Sequence, residues 1–236
     1  EPIAVALCVC KAVEMLGSVP ERIDVLRSAN ILKNAMGVGI PGTGMIGLPI
    51  AVALGALIGR ADLGLEVLRD CNKKAVAQGR KFIDEGRINI QLETTDKDKL
   101  FINAVVSADG HEAEATIRGG HTNFVFLRRD ADVLLDRKGC EAAAIENGGV
   151  ELTLRKVYDF AMQTDVDDLR FILDARQLNE AAANEGLREN YGHELGKTLC
   201  SPLGKGIMGD SIFSHILART SCACDARMAG AMIPVM

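Results

Sequence analysis

The sequence predicts an α+β fold that is mainly helical, with a small antiparallel β-sheet inserted into it. Apolar residues recur with helical spacing near both ends of the chain, whereas apolar and polar residues alternate between positions 87 and 130. Hydrophobic residues make up 48% of the chain and aromatic residues only 4%, which favours a core of small aliphatic side chains. We therefore expect a helical region with a glycine-rich loop at 1–86, a β insertion at 87–130, and a helical region at 131–236 that continues the first.

Three helices are predicted in the first region. The first covers residues 2–16, because Pro suits an opening helical position, and Gly17 is its stop signal. The second covers residues 49–58 and is almost entirely apolar. Asp62 is the expected cap of the third, which ends at Gly86. Its apolar positions have helical spacing and are Leu68, Cys71, Ala75 and Phe82.

A short strand is predicted at residues 23–26, and the inserted sheet follows later in the chain. Apolar side chains share one face in three segments: Ile88, Ile90 and Leu92; Ile102, Ala104, Val106 and Ala108; and Ala113, Ala115 and Ile117. Asp109 and Gly110 form a typical hairpin turn between the last two segments. Residues 122–127 complete the sheet as a fourth strand.

Helical spacing returns in the last region, at residues 152–162 and 166–183. The expected buried stripe of the second of these helices consists of Leu169, Ile172, Leu173 and Leu178. A last helix is predicted to start at residue 210 and to reach 220 or beyond.

Composition excludes several classes of protein. The net charge of −5 is spread along the chain without a basic stripe, so nucleic acid is not an expected partner. The apolar stretch at 3–13 follows Glu1 and contains Lys11, unlike a signal peptide, and the apolar run at 45–58 is shorter than the roughly 20 residues that span a bilayer. Seven cysteines without an export signal favour reduced thiols. We expect a soluble cytoplasmic protein without disulfides, in which neither a membrane nor nucleic acid is a partner.

The most informative stretch is residues 33–59, where a glycine-rich loop runs directly into an apolar helix. Its glycines are Gly37, Gly39, Gly42, Gly44, Gly47, Gly55 and Gly59, with Pro41 and Pro49 between them. Backbone N–H groups in such a loop, ahead of a helix N-terminus, suit an anion such as an amino-acid carboxylate. Close packing of two helices is the alternative explanation for the glycines.

Gly42, Gly44 and Gly47 also match the G-x-G-x-x-G fingerprint of dinucleotide-binding proteins. That fingerprint requires a buried parallel strand that leads straight into its first glycine. Here Pro41 precedes the first glycine, and further glycines interrupt the preceding segment. We therefore expect no nicotinamide or flavin cofactor.

Four blocks of sequence carry a family resemblance. In chain order they read KNAMGVGIPGTGMIGLPIA, GGHTNFVFL, LRFILDARQLNEAAANEGL and SCACDARMAGAMIPVM. In order and spacing they resemble the L-cysteine desulfidase family, which is related to the L-serine dehydratase alpha chain. The resemblance covers essentially the whole chain.

This resemblance implies a lyase that converts L-cysteine or L-serine to pyruvate and ammonia, with release of sulfide or water. It implies an oxygen-sensitive four-iron four-sulfur (4Fe-4S) cluster that acts as a Lewis acid on the leaving group. It places the cluster ligands immediately before Glu1 and after Met236, so we expect a fragment that has no metal ligands of its own and is inactive by itself. A pyridoxal phosphate enzyme with Lys33 as its Schiff-base lysine is an alternative, but the resemblance implies no such cofactor.

His121 is the candidate catalytic base or acid, because it follows two glycines at a loop edge where its ring can project. A hydrogen-bonded loop histidine without catalytic function is the alternative. The candidate substrate-binding residues are Lys33, Asn34, Gly42, Thr43, Gly44, Thr122, Asn123 and Arg227. Arg227 suits a carboxylate, but an ion pair with Asp225 would also explain it.

Cys222 and Cys224 are expected to be small buried residues rather than metal ligands, since no second cysteine pair at zinc spacing exists. The alternative function is a domain that binds an amino acid, or assists assembly, without catalysis. A small-molecule amino acid is the expected partner in both cases, and a homo-oligomer is left open.

Overall fold

Residues 1–35, 37–94, 98–137 and 152–231 are described by the computed structural model, which confirms the α+β class. The chain divides into two units, residues 1–142 and residues 143–236. The first unit consists of α1 (Pro2–Leu16), β1 (Arg22–Arg27), α2 (Ala29–Ala35), β2 (Gly39–Ile40), β3 (Met45–Ile46), α3 (Leu48–Ile58), a 3₁₀ segment (Ala61–Glu66), α4 (Lys73–Asp84), β4 (Ile88–Leu92), β5 (Phe101–Ala108), β6 (His111–Arg118), β7 (Phe124–Arg129) and β8 (Asp132–Asp136). The second consists of α5 (Leu154–Gln163), a 3₁₀ segment (Val166–Leu169), α6 (Phe171–Arg188), α7 (Leu195–Cys200), α8 (Pro202–Met208) and α9 (Ile212–Met228). Cys140 lies outside the described residues.

The main sheet has six strands in the order β4-β1-β5-β6-β7-β8, and β2 with β3 forms a separate two-stranded sheet. The expectation of a small antiparallel sheet is therefore wrong in two respects. First, β1 joins the sheet from the first helical region and pairs in parallel with β4. Second, β8 extends the sheet past residue 130, to Asp136. The predicted strand at 122–127 also begins later, at Phe124, because the preceding residues form a turn.

The hairpin between β5 and β6 follows the predicted alternation. Ala104 pairs with Ala115, and Val106 pairs with Ala113, so small and β-branched side chains share the buried face. Asp109 and Gly110 have φ of 51° and 77°, the left-handed values that a two-residue hairpin turn of this kind requires. The predicted turn is confirmed.

Helix α1 is buried on nearly all sides, as its almost uninterrupted apolar sequence requires. It packs against β5 and β6 and also against α3, so it lies inside the first unit. Cys8 donates a hydrogen bond through its thiol to the carbonyl oxygen of Ala115 at 3.2 Å, which ties α1 to the sheet. The predicted end is confirmed, because Gly17 has φ of 82° and its N–H donates to Val13.

The crossing of α1 and α3 depends on two glycines: Gly55 within α3, and Gly59 at its C-terminal cap. A Cβ atom added at Gly55 would lie 2.5 Å from the carbonyl oxygen of Ala6, and one added at Gly59 would lie 2.8 Å from Cys10 Sγ. Backbone atoms of α1 at Gly55, and the Cys10 side chain of α1 at Gly59, therefore occupy the space that a side chain would need. Close packing, the alternative explanation for the glycine-rich stretch, is correct for Gly55 and Gly59.

The third predicted helix begins later than expected. Residues from Ala61 to Glu66 form a 3₁₀ segment, and Asp62 does not cap an α-helix. Instead Asn72 caps α4, since its side-chain oxygen accepts hydrogen bonds from the N–H groups of Lys74 and Ala75, both at 3.1 Å. Gly64 lies in the 3₁₀ segment with φ of 56° and interrupts any continuous helix.

In the second unit, α6 and α9 pack through small residues. Gly186 lies directly on the backbone of Cys222, and Ala182 and Ala183 are buried beside it. The predicted stripe is wrong, because Ile172 and Leu173 are 52% and 54% exposed. Small side chains let the two backbones approach closely, which turns the larger aliphatic residues of α6 outward. The last helix begins at Ile212, two residues later than predicted, and its end at Met228 agrees with the predicted extension beyond residue 220. No helix among the described residues is long and apolar enough to cross a membrane.

We expect Gly55→Ala to lower the free energy of unfolding by about 1–3 kcal/mol, because the new methyl group overlaps backbone atoms that cannot move aside. Gly79→Ala in α4 is the matched control, since its methyl group would meet side chains and not backbone, the nearest being the flexible end of Ile50 at 3.0 Å. Urea unfolding followed by circular dichroism measures both variants. Equal destabilisation by the two substitutions would contradict the packing described for α1 and α3.

Candidate functional site

The glycine-rich loop forms a small hairpin whose turn is held by Thr43. The threonine hydroxyl donates to the carbonyl oxygen of Ile40 at 2.7 Å and accepts from the N–H of Met45 at 2.9 Å. Thr43 is buried, and its own N–H donates to Ile40 at 3.1 Å. The side chain predicted to bind substrate is therefore used within the turn, and the backbone beside it is what a ligand could contact.

Gly42 and Gly44 give this turn its shape. Their φ values of 74° and 64° lie in the left-handed region, which favours glycine. Neither N–H donates a hydrogen bond to another group in the described part of the chain. These two N–H groups flank Thr43, whose own N–H is used within the turn, and each can donate to an anion.

A cavity of about 420 Å³ lies between this turn and α4. We call it the α4 groove. Its lining includes Gly42, Thr43 and Gly44 from the turn and Lys73 and Arg80 from α4. Both cationic side chains are exposed, and the groove contains no carboxylate among its lining residues. The groove therefore has the charge and the backbone donors that a carboxylate needs.

Sequence reasoning missed Lys73 and Arg80. Seven positions separate them, which is two helical turns, so both lie on one face of α4. That spacing was a usable signal, but nothing in the sequence placed α4 beside the turn. We expected the N-terminus of the helix after the glycine-rich loop to help bind an anion. That helix, α3, does not line the groove, whose lining comes from the turn and from α4.

A second group of polar residues meets at the beginning of α1. Glu1 occupies the N-cap position, and its Oε1 accepts a hydrogen bond from Asn34 Nδ2 at 2.9 Å. His121 Nε2 lies 3.8 Å from the same oxygen. We call Glu1, Asn34 and His121 the Glu1 cluster. The structure thus brings two predicted site residues together around a carboxylate that sequence reasoning did not single out.

The other oxygen of this carboxylate distinguishes the cluster. Glu1 Oε2 is buried and has no hydrogen-bond partner within the described residues. An ionised oxygen buried without a donor is costly, so such an atom is a favourable position for a cationic donor from a ligand. His111 and His215 also lie beside carboxylates, at 2.9 Å and 2.6 Å, but those carboxylates are exposed to solvent.

The other predicted substrate-binding residues belong neither to the α4 groove nor to the Glu1 cluster. Lys33 is exposed on α2, and Thr122 is exposed in the turn that carries His121. Asn123 closes that turn, because its Nδ2 donates to the carbonyl oxygen of Arg118 at 2.9 Å. Arg227 belongs to the second unit, where it donates to Asn179 Oδ1 at 2.9 Å.

The suggested ion pair between Arg227 and Asp225 is not formed. Asp225 instead accepts a hydrogen bond from the N–H of Leu195 at 3.1 Å, which fixes α7 to α9. The expectation for Cys222 is confirmed, since this residue is buried, whereas Cys224 is exposed and the expectation for it is wrong. The i, i+2 spacing on a helix explains the difference, because it places the two side chains on different faces.

Three of the six described cysteines are unsuited to hold a metal cluster. Burial raises the pKa of Cys8, whose thiol donates to backbone carbonyls. Burial and then the neighbouring Glu14 carboxylate raise the pKa of Cys10 to about 12. Burial also raises the pKa of Cys222. Because thiolates are the ligands of such clusters, the donor chemistry of these residues does not fit a 4Fe-4S cluster.

The dinucleotide motif has an unsuitable setting in the structure. Gly42 and Gly44 lie in the turn of an antiparallel hairpin, and β2 before them is only Gly39–Ile40. A dinucleotide site needs a buried parallel strand at this point, followed by a helix and a second parallel strand. The absence of bound NAD or FAD stays a prediction.

Comparisons with known proteins place the chain beside longer relatives. A UPF0597 protein of Bacteroides thetaiotaomicron is 60% identical over 236 residues, which are all of this chain and 55% of that protein. UPF0597 proteins of Phocaeicola vulgatus and Aliivibrio fischeri are 57% and 44% identical, again over 100% of this chain and 55% and 56% of their own lengths. The chain therefore spans about half the length of the curated relatives it matches. Their names state no activity, no protein-family model matches the chain, and no solved structure matches it.

We expect the thiols to react in a fixed order with N-ethylmaleimide at about pH 8, because the thiolate is the reactive form. Cys224, which is exposed, should react faster than Cys8 and Cys10 by a factor on the order of 10² or more. Mass spectrometry of quenched samples measures the rate at each cysteine, and Cys224→Ser should leave the rates of Cys8 and Cys10 unchanged. Native rates for Cys10 that equal those of Cys224 would contradict the burial described for α1.

Proposed function

We propose that this chain forms part of a lyase that eliminates the β-substituent of L-cysteine or L-serine. The observation that carries the proposal is the Glu1 cluster, where a buried carboxylate oxygen without a partner lies beside an imidazole. The four blocks that resemble the L-cysteine desulfidase family support the same reaction class. The small amino-acid substrate and the cytoplasmic location are parts of this proposal.

The reaction requires a proton acceptor at the α-carbon. Loss of the α-proton and cleavage of the bond from the β-carbon to sulfur or oxygen produce an enamine, and the leaving group departs as hydrogen sulfide or water after it gains a proton. The enamine then takes up water and yields pyruvate and ammonia. We assign the role of general base or acid to His121, the imidazole of the cluster.

Glu1 has two separate functions in this proposal. Its Oε1 is held by Asn34 at 2.9 Å and lies 3.8 Å from His121 Nε2, which is close enough for the carboxylate to attract a protonated imidazole but is not a hydrogen bond. Its Oε2 is free to accept a hydrogen bond from the α-ammonium group of the substrate. A charge-assisted bond of that kind would compensate for the burial of the carboxylate.

We propose the α4 groove as a second recognition element. Its lining contains no residue of the Glu1 cluster, so one substrate can use both only where the two places lie within the length of an amino acid. The N–H groups of Gly42 and Gly44, together with Lys73 and Arg80, would bind the substrate carboxylate. This extends the expected role of the glycine-rich loop to two side chains on α4. A protein that binds the amino acid in this groove without turnover is the alternative.

The 4Fe-4S cluster that the resemblance implies would polarise the leaving group in the whole protein. The cysteines that are buried in this chain do not fit it, for the reasons of burial and pKa given above. The roles proposed for Glu1, His121 and the α4 groove therefore involve groups of the first unit and not the iron-sulfur cluster.

For the whole protein, purified without oxygen, we expect pyruvate to form from L-cysteine or L-serine and His121→Ala to lower its rate by about 10²–10⁴. His111→Ala is the matched control, because His111 is an exposed histidine bound to Asp130 and should leave the rate unchanged. Pyruvate is measured by coupled reduction with lactate dehydrogenase. An unchanged rate in His121→Ala would remove this residue from catalysis, and absence of pyruvate with either amino acid would contradict the lyase.

Substitution of the cationic residues of the α4 groove should change KM. Lys73→Ala and Arg80→Ala should each raise KM by about tenfold with a smaller effect on kcat, because each removes a charged contact to the carboxylate. Lys74→Ala is the control, since Lys74 is a neighbouring exposed lysine that does not line the groove. If Lys73→Ala and Lys74→Ala have the same KM, the groove does not hold the carboxylate.

A further inference from the structure

One side of the second unit exposes an unusual amount of apolar surface. Ile212, Phe213 and Ile216 of α9 are 82%, 69% and 58% exposed. Ile172 and Leu173 of α6 are also more than half exposed. Folded proteins in water rarely leave large aliphatic and aromatic side chains together in solvent, and such surfaces usually bind another segment or protein.

The opposite side of α9 is well packed. Ala218, Cys222 and Ala226 are buried, and Gly186 and Gly196 lie against Cys222. Small residues therefore form the buried face of α9, and large apolar residues lie on its exposed face. A helix with apolar residues on both faces is expected to be buried on both, so we expect a further segment or protein to cover the exposed face.

A groove runs between α6 and α9 on the exposed side. Its volume is about 840 Å³, and its apolar lining includes Ile216 and Met228. Arg176, Arg219 and Arg227 line the same groove, with Glu180 as the carboxylate among its lining residues. We call it the arginine groove. It combines an apolar surface with a positive net charge.

Two of the three arginines, Arg219 and Arg227, are held by asparagines of α6. Arg227 donates to Asn179 at 2.9 Å and Arg219 donates to Asn184 at 3.3 Å, so each has a neutral hydrogen-bond partner and no ion pair is formed by either within the described residues. A carboxylate on an occupant could accept from the remaining guanidinium N–H groups. The occupant therefore needs apolar side chains and acidic side chains on one surface.

We infer that the arginine groove binds an acidic amphipathic helix from the part of the longer relatives that this chain does not match. That part amounts to nearly half of each relative, since the chain covers 55% of the Bacteroides thetaiotaomicron protein. The observations that support this occupant are the exposed apolar face, the shape of a groove between two helices, and its charge. A second copy of this chain is a poorer occupant, because it would bring the same three arginines to the contact.

Cys224 provides a direct probe, because its thiol is exposed and lines the groove. The test uses a full-length chimera in which this sequence replaces the matched region of the Bacteroides thetaiotaomicron protein. Its Cys224 should react with N-ethylmaleimide at least about tenfold more slowly than Cys224 of the 236-residue chain, because the helix covers it. Arg176→Glu with Arg219→Glu should restore fast labelling, whereas Lys197→Glu, outside the groove on α7, should not.

Cys222 reports folding in the same samples, since it is buried against α6 and α7 and should stay unlabelled wherever the second unit is folded. If the chimera does not fold, a narrower chimera that replaces only the region matching residues 152–231 is measured in its place. Equal labelling of Cys224 in the folded chimera and in the 236-residue chain would overturn the inference. Protection in the 236-residue chain that increases with protein concentration, together with a dimer in sedimentation, would also overturn it and assign the groove to a second copy.

Discussion

The close crossing of α1 and α3 is the constraint on which the first unit depends. Gly55 and Gly59 leave room for the backbone of α1 at Ala6 and for the side chain of Cys10. With α3 on one side and β5 and β6 on another, α1 cannot shift along its axis without losing contacts on both. Its apolar residues are buried against each of these neighbours, so the helix serves as the rigid centre of the unit.

The candidate site uses that rigidity. Glu1 stands at the start of α1, and its partners come from separate elements, Asn34 from α2 and His121 from the turn before β7. Because Glu1 is the N-cap of a buried helix, core packing fixes its backbone, and the hydrogen bond from Asn34 holds Oε1. The α4 groove has a similar basis, since α4 packs against α3, which fixes the helix that carries Lys73 and Arg80.

Local signals in the sequence predicted local features. Gly17 ended α1, and Asp109 with Gly110 formed the hairpin turn, because these positions require left-handed φ values that few residues adopt. Features that depend on distant contacts were not predictable in this way. The parallel pairing of β1 with β4, the outward position of Ile172, and the approach of α4 to the glycine turn all depend on which surfaces pack together. His121 was identified by its glycine neighbours, but Glu1 was not, since only the fold places them side by side.

The central claim is that Glu1 and His121 act as one unit in a β-elimination. A double-mutant cycle on the rate of pyruvate formation by the intact, oxygen-free protein tests it most directly, with Glu1→Gln, His121→Gln and the double variant compared with the wild type. If Glu1 acts through the imidazole, the second substitution should cost much less in the presence of the first than it does alone. Rate losses that multiply independently would contradict the claim, as would a wild-type protein that forms no pyruvate.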